Sequence, residues 1–322
     1  MLASLSTMTT ANSSHLPDEG HCVTRSIRIF QVDAFTNTRF AGNPAGVVLD
    51  AEQLSDAEMQ AIARELNNGD TAFVLPATAP DHDLSVRFFT PRKEAPFVGH
   101  ATLAAHAVLS RIAPQPLRRQ RGRTGVVEVR SLPQAGGWAI RQPPPLLARK
   151  PDGVEIDEVL QLLGLHAGQL DGAIAPRIAG TASTRLLMAL RDGAALDAVK
   201  PRLPELAALS PRIGAQGYFL YTRASRIAGC QTESRMFCPA LGIDEDPVSG
   251  NAHAMLAMQL HESGLLADGL RFCGAQGMHV GRPGRVDVQI DGQAGQPAGV
   301  SICGQAVIVF EAVMALGTSL RA

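Results

Sequence analysis

The sequence predicts an α+β protein of two similar lobes, each a curved sheet or barrel wrapped around one central apolar helix. Three observations carry that expectation. A chain of 322 residues is longer than one hydrophobic core usually serves. Phe89-Thr90-Pro91 leading to Pro96-Phe97-Val98-Gly99-His100-Ala101 is echoed by Phe237-Cys238-Pro239 leading to Pro247-Val248-Ser249-Gly250-Asn251-Ala252, so one unit occurs twice, its two helix-opening glycines 151 residues apart. Residues 101–112 and 252–262 are apolar nearly all round, which a helix tolerates only inside protein or lipid, and both are too short for lipid.

In chain order, residues 1–26 are rich in Ser, Thr and Asn and lack an early basic region and an apolar core. They read as a flexible tail rather than a signal peptide, and Met8 is an alternative start. Residues 27–33 interleave as a strand leading into a turn at Asn43-Pro44-Ala45-Gly46, and a second strand follows at 47–49. Ser55-Asp56-Ala57-Glu58 is a capping box ahead of Met59, Ile62, Ala63 and Leu66 at helical spacing. Strands are expected at 71–75, 84–89, 126–130 and 138–141, separated by the first buried helix. Gln142-Pro143-Pro144-Pro145 and Lys150-Pro151-Asp152-Gly153 mark a linker, which divides the chain into lobes at 27–148 and 149–322, with a last strand free to return to the first lobe. The second half repeats the plan with a helix at 156–165, strands at 185–190, 218–221 and 233–237, and the second buried helix.

Charge and composition exclude several function classes. With 29 basic and 30 acidic residues in no long runs, and 4% aromatics, there is neither an electrostatic footprint nor a stacking platform for nucleic acid. No stretch reaches the roughly 20 apolar residues of a membrane span. Five cysteines without CxxC spacing fit a reducing cytoplasm better than a disulfide framework or zinc knuckle. The histidines form no HExxH or i,i+4 set, so no metal site is expected, and no GxGxxG or P-loop supports a nucleotide cofactor.

A glycine that opens a helix leaves free backbone N–H groups at a positive dipole end, which favours an anion. Gly99 and Gly250, followed by polar His100 and Asn251, therefore suggest a carboxylate held between the halves. The titratable residues nearby are Asp70, Glu94, His100, Glu245 and Asp246, of which Asp70 and His100 make the best proton-transfer pair. His106 and His253 fall within the apolar helices and read as core residues.

Val32-Asp33-Ala34-Phe35-Thr36, Phe40-Ala41-Gly42-Asn43-Pro44-Ala45, residues 61–74, Arg87-Phe88-Phe89-Thr90-Pro91, residues 96–102, Glu245-Asp246-Pro247-Val248-Ser249-Gly250, Gln276-Gly277 and Gly281-Arg282-Pro283 together resemble the PhzF-like family of phenazine biosynthesis. The resemblance runs from about residue 27 to 313. It implies a diaminopimelate-epimerase-like fold, a homodimer, and a cofactor-independent isomerase that moves a proton on a small unsaturated amino or hydroxy acid, as in isomerising dihydro-hydroxyanthranilate. It also implies that Asp70 is the proton-shuttling carboxylate, that His100, Asp246, Asn251 and Asn43 accompany it, and that Gly99 and Gly250 supply backbone donors. The family usually carries Glu at position 70, Ser at 69 and Ser at 251, where this chain has Asp70, Gly69 and Asn251. Racemases of this fold use two facing thiols, and Val98 and Ser249 stand at the duplicated positions, which disfavours that mechanism. Two alternatives stand beside the isomerase: a carboxylate-binding protein with weakened catalysis, and a one-carbon epimerase.

Overall fold

The computed structural model describes residues 25–180, 183–266, 270–293 and 296–316. The tail expected at 1–26 lies outside them up to residue 24. The chain enters in β1 (Arg25–Ala34), where Ile27 and Ile29 are buried against exposed Ser26 and Arg28. β2 (Asn43–Val48) lies antiparallel to β1 and parallel to β3 (Asp70–Pro76), with α1 (Asp56–Leu66) between them in sequence. A turn is expected over Asn43-Pro44-Ala45-Gly46, but these residues are the first four of β2. Pairing explains the difference: β3 joins β2 only from Ala45 onward, so Pro44 sits at the strand's start, where a missing N–H is tolerated. The capping box of α1 is formed, Ser55 Oγ accepting from the Glu58 N–H and Glu58 accepting from the Ser55 N–H.

The chain continues through β4 (Leu84–Phe89), a short β5 (Glu94–Ala95), α2 (Gly99–Ile112), β6 (Leu117–Gly122), β7 (Gly125–Leu132) and β8 (Gly137–Gln142). Then follow β9 (Leu147–Arg149), α3 (Gly153–Leu163), β10 (Arg177–Ala179), β11 (Arg185–Leu190), α4 (Gly193–Asp197), α5 (Leu203–Ile213), β12 (Gly217–Thr222), β13 (Thr232–Cys238) and β14 (Ile243–Asp246). The last elements are α6 (Gly250–Glu262), β15 (Arg271–Gln276), β16 (Gly284–Gln293), β17 (Gln296–Gly304) and β18 (Ala306–Leu316).

Strand pairing forms one continuous ribbon, β18 to β1, β2, β3, β4, β6, β7 and β8, then β17, β16, β15, β13, β12, β11, β10 and β9. It curls around two helices. α2 packs against β1, β2, β3, β8 and β18, and α6 against β9, β15, β16 and β17. The alternation of side chains along each strand feeds two layers. In β1, Phe30 and Val32 join Ala101, Ala105 and Val108 of α2, whereas Ile27 and Ile29 join Met59 and Ile62 of α1 on the opposite face. Leu186 and Met188 of β11 likewise meet Leu160 of α3 and Leu209 of α5, while Leu187 and Ala189 face the α6 side with Met255 and Leu256.

The repeat seen in the sequence has a matching geometry. Arg87 and Arg235 each lie over the phenylalanine two residues on, 5.2 Å from the Phe89 ring and 5.0 Å from the Phe237 ring, and each pairs with the glutamate of the following short strand, Glu94 or Glu245. These two glutamates therefore hold arginines. His106 and His253 are buried and hydrogen-bonded, to Gln120 at 3.0 Å and to the Ser249 carbonyl at 2.7 Å. No helix among the described residues is long and apolar enough to cross a membrane.

Candidate active site

Asp70 is the first residue of β3, reached through Asn67 in the left-handed conformation and Gly69. Its partner across the parallel ladder is Ala45, two residues after Asn43. His100 is the second residue of α2, and its Nε2 lies 3.6 Å from Asp70 Oδ2. That nitrogen is buried without a hydrogen-bond partner among the described residues. Desolvation holds the His100 imidazole down to about 4, so the ring is neutral at neutral pH. Desolvation also raises the Asp70 carboxyl well above its ordinary value, and the negative charge of Asp246 raises it further.

Asp246 ends β14, from the other half of the chain. Its carboxyl is pushed up to about 6 by desolvation, against the opposing effects of the Arg185 charge, the Asn43 amide and the Val248 N–H. Asn43 Nδ2 donates to Asp246 Oδ1 at 2.7 Å and to the Val248 carbonyl at 2.8 Å. Both amide hydrogens are thereby engaged, and Asn43 holds Asp246 in place rather than offering that nitrogen to a ligand. Asn251 Oδ1 accepts from Gln142 Nε2 at 3.1 Å, which joins the end of β8 to the start of α6.

The two glycines differ. A Cβ on Gly99 would meet open space, and Val98, the N-cap of α2, makes no side-chain cap, so the first N–H groups of that helix are left for a ligand. A Cβ on Gly250 would lie 2.7 Å from Phe35 Cζ and 2.8 Å from Ile302 Cγ2, and Ser249 caps α6 by accepting from the Ala252 N–H. Packing accounts for Gly250, while Gly99 borders space.

The repeat makes the site asymmetric. Thr71 faces Phe89 as Tyr218 faces Phe237, so the position matching Asp70 in the second half is Gly217, where a Cβ would lie 2.4 Å from Cys238 Sγ. The position matching Asp246 in the first half is Ala95, next to Glu94. Each half thus contributes one carboxylate, at non-equivalent places.

Gln276 has a role that motif reading did not assign. Fully buried at the end of β15, it donates to the Asp246 carbonyl at 2.6 Å and accepts from the Ser249 N–H at 3.1 Å, fixing the turn between β14 and α6. The Gln276-Gly277 pair within the family resemblance was its available signal. Gly277 adopts φ 93°, and a Cβ there would stand 2.1 Å from the Arg282 carbonyl oxygen and 2.8 Å from that of Pro247. Gly277→Ala is therefore expected to destabilise by about 2 kcal/mol or more, measured as a lower urea midpoint.

Two surface cavities of about 520 and 340 Å³ lie elsewhere, the first bordered by Phe35, Asp287 and Cys303 and the second by Cys230 and Arg271. Neither is lined by Asp70, His100 or Asp246. Among the described residues no group of three or more His, Cys, Asp or Glu is arranged to hold a metal ion.

The family model for phenazine biosynthesis-like protein matches residues 32–312. An uncharacterized isomerase, YddE, of Salmonella typhimurium is 38% identical over 302 residues, covering 90% of this chain and 98% of that protein. The trans-2,3-dihydro-3-hydroxyanthranilate isomerase of Pseudomonas chlororaphis is 31% identical over 283 residues, covering 86% of this chain and 95% of its own length. Among solved structures, a Bacillus anthracis phenazine biosynthesis protein of the PhzF family superposes with a TM-score of 0.81 at 24% identity, over 91% of this chain and all of that one. A hydroxyproline epimerase from Agrobacterium vitis shares the fold at a TM-score of 0.63 and 15% identity, over 92% of this chain and 94% of that one. Matched across most of its length by the family model, and over 86–90% of it by proteins named isomerases, the chain belongs to the phenazine biosynthesis-like family and is an isomerase.

Proposed function

We propose that this isomerase moves a proton on a small unsaturated amino or hydroxy acid, with Asp70 as the group that takes the proton and returns it, in the cleft between two lobes of a homodimeric protein. The observation that carries this reading is the convergence of Asp70 and His100, with Nε2 and Oδ2 3.6 Å apart, in a desolvated spot where the charge of Asp246 acts on Asp70. A carboxyl with a raised pKa is a stronger base when ionised and a usable acid when protonated, as a shuttle requires.

In the proposed reaction the Asp70 carboxylate removes a proton from carbon, and the electron pair shifts into a conjugated enol. The same carboxyl then reprotonates the vinylogous carbon, so the C–H bond broken is replaced by one formed and no redox partner enters. The substrate carboxylate would sit at the uncapped start of α2, bordered by Gly99, with neutral His100 oriented toward the reacting face. Val98 and Ser249 at the duplicated helix starts rule against a thiol pair. The test is incubation with candidate dihydro-hydroxy acids in D₂O: deuterium at the new C–H position reports exchange of the Asp70 proton with solvent, its absence reports direct return of the abstracted proton, and isomerisation undiminished in Asp70→Asn would overturn the shuttle.

A pH dependence follows. Asp70 must be ionised to act as base, so activity rises with pH along an acid limb above the ordinary carboxylate range. Asp246→Asn removes the neighbouring negative charge and should move that limb to lower pH, whatever it does to the maximal rate. A limb that stays in place would show that Asp246 does not act on Asp70. The matching stability effect has the opposite sense. A carboxyl whose folded-state value lies above 3.8 costs the protein stability as pH rises from 3.8 to that folded-state value, and for Asp246 the loss is complete above about 6.

A further inference from the structure

Outside this site, two sulfurs approach each other closely. Cys230 Sγ lies 2.8 Å from Cys273 Sγ, and both are free thiols. The residues are 43 apart in sequence, a spacing that hides them from motif reading. Cys230 closes the connection between β12 and β13, and Cys273 lies within β15. The backbone fixes the meeting: the Gln231 N–H donates to the Cys273 carbonyl at 2.8 Å, and Gln231 Oε1 accepts from the Cys273 N–H at 2.8 Å. Bond formation therefore needs side-chain rotation and little backbone movement.

The pair is also chemically unequal. Cys230 is half-buried and borders the cavity of about 340 Å³ with Arg223 and Arg271, whereas Cys273 is buried. A hydrogen bond from the Cys273 thiol and the nearby Arg285 charge hold the Cys230 thiol below its usual range, and the same contact together with burial pushes Cys273 up. The reachable sulfur is thus the better thiolate.

We propose that Cys230 and Cys273 are a modification site, a dithiol that a hydroperoxide converts reversibly to an intramolecular disulfide. The Cys230 thiolate attacks the peroxide, breaking the O–O bond and forming a sulfenic acid as the alcohol or water departs. The Cys273 sulfur then attacks the Cys230 sulfur. The S–S bond forms, the S–O bond breaks, and the leaving hydroxide takes the Cys273 proton as water. Two thiols are oxidised by two electrons and one hydroperoxide is reduced. Transient disulfides of this kind are compatible with a reducing compartment. The product ties the loop before β13 to β15.

The experiment treats the full chain with hydrogen peroxide and reads intact mass, linked peptides and thermal unfolding. The expected result is loss of two hydrogens, a single peptide joining Cys230 to Cys273, reversal by dithiothreitol, and an unfolding midpoint raised by on the order of 5 °C. Cys273→Ser should instead stop at an oxygen adduct on Cys230 that dimedone captures, and Cys230→Ser should give neither product. An unchanged mass, a linked peptide containing Cys22, Cys238 or Cys303, or a Cys273→Ser variant that still loses two hydrogens would overturn the proposal.

Discussion

Replacing Asp70 by Asn is expected to lower the rate of product formation by roughly 10³-fold, within the range that a positioned acid or base contributes. Asparagine keeps the volume and planar shape of the side chain at the start of β3 but cannot accept a proton from carbon. Because Asp70 titrates well above its ordinary value in the fold, its ionised form is unfavourable there, and the neutral amide should leave stability at pH 7 equal or higher. Loss of turnover with an unchanged or raised melting temperature separates catalysis from folding. Turnover retained at the parental rate would remove Asp70 from the mechanism. Asp70→Glu adds a second discrimination: an active Glu variant beside an inactive parent would favour the carboxylate-binding alternative, since a shift of about 1 Å in a reacting group can cost on the order of a hundredfold in rate.

The elements that were plain in the sequence are those whose inward positions are apolar. The two buried helices, the strand at Arg185–Leu190 and the capped helix after Ser55 follow from pattern alone. β6 does not, because its Leu-Arg-Arg-Gln-Arg-Gly segment turns polar side chains inward: Arg118 reaches the Ala113 carbonyl and Gln120 joins His106. With those hydrogen bonds made, polar residues occupy core positions at little cost, and the period-two signal disappears. The bounds of β15 to β18 were not marked for a different reason, although a last strand free to return to the first lobe was expected. Their register depends on long-range partners, and β18, paired along its length with β1, leaves Phe310 and Val313 exposed, so hydrophobicity marks no clear inner face.

Asp70, His100 and Asp246 stood out as titratable residues near the two helix-opening glycines, and the resemblance assigned them roles. Their coupling was not, because it depends on Asn43 and Gln276 gripping a turn more than 200 and about 30 residues away respectively. Asn43 also changed in meaning, from a ligand contact to a clamp on Asp246. Sequence spacing cannot carry such information, since both contacts are made only after the strands that hold them have paired.

Glu245→Ala is expected to destabilise the protein by about 3–5 kcal/mol, the cost of leaving a buried guanidinium without its carboxylate. Arg235 is 9% exposed in its side chain and donates to both Glu245 oxygens, at 2.9 and 2.8 Å. Its remaining bonds, to the Leu196 and Val199 carbonyls at 3.2 Å, satisfy geometry but not charge. The repeat supplies the control. Glu94 pairs with Arg87 in the same arrangement, but Arg87 is 28% exposed and keeps Asp56 at 2.6 Å, so Glu94→Ala should cost only about 1 kcal/mol. Urea unfolding reads both, as a shift in midpoint at constant slope, and equal small losses would reject the burial argument. Activity should divide the same way. Glu245 precedes Asp246 on β14, so its loss loosens the strand that presents the second carboxylate, whereas Glu94 precedes Ala95, which bears no charge.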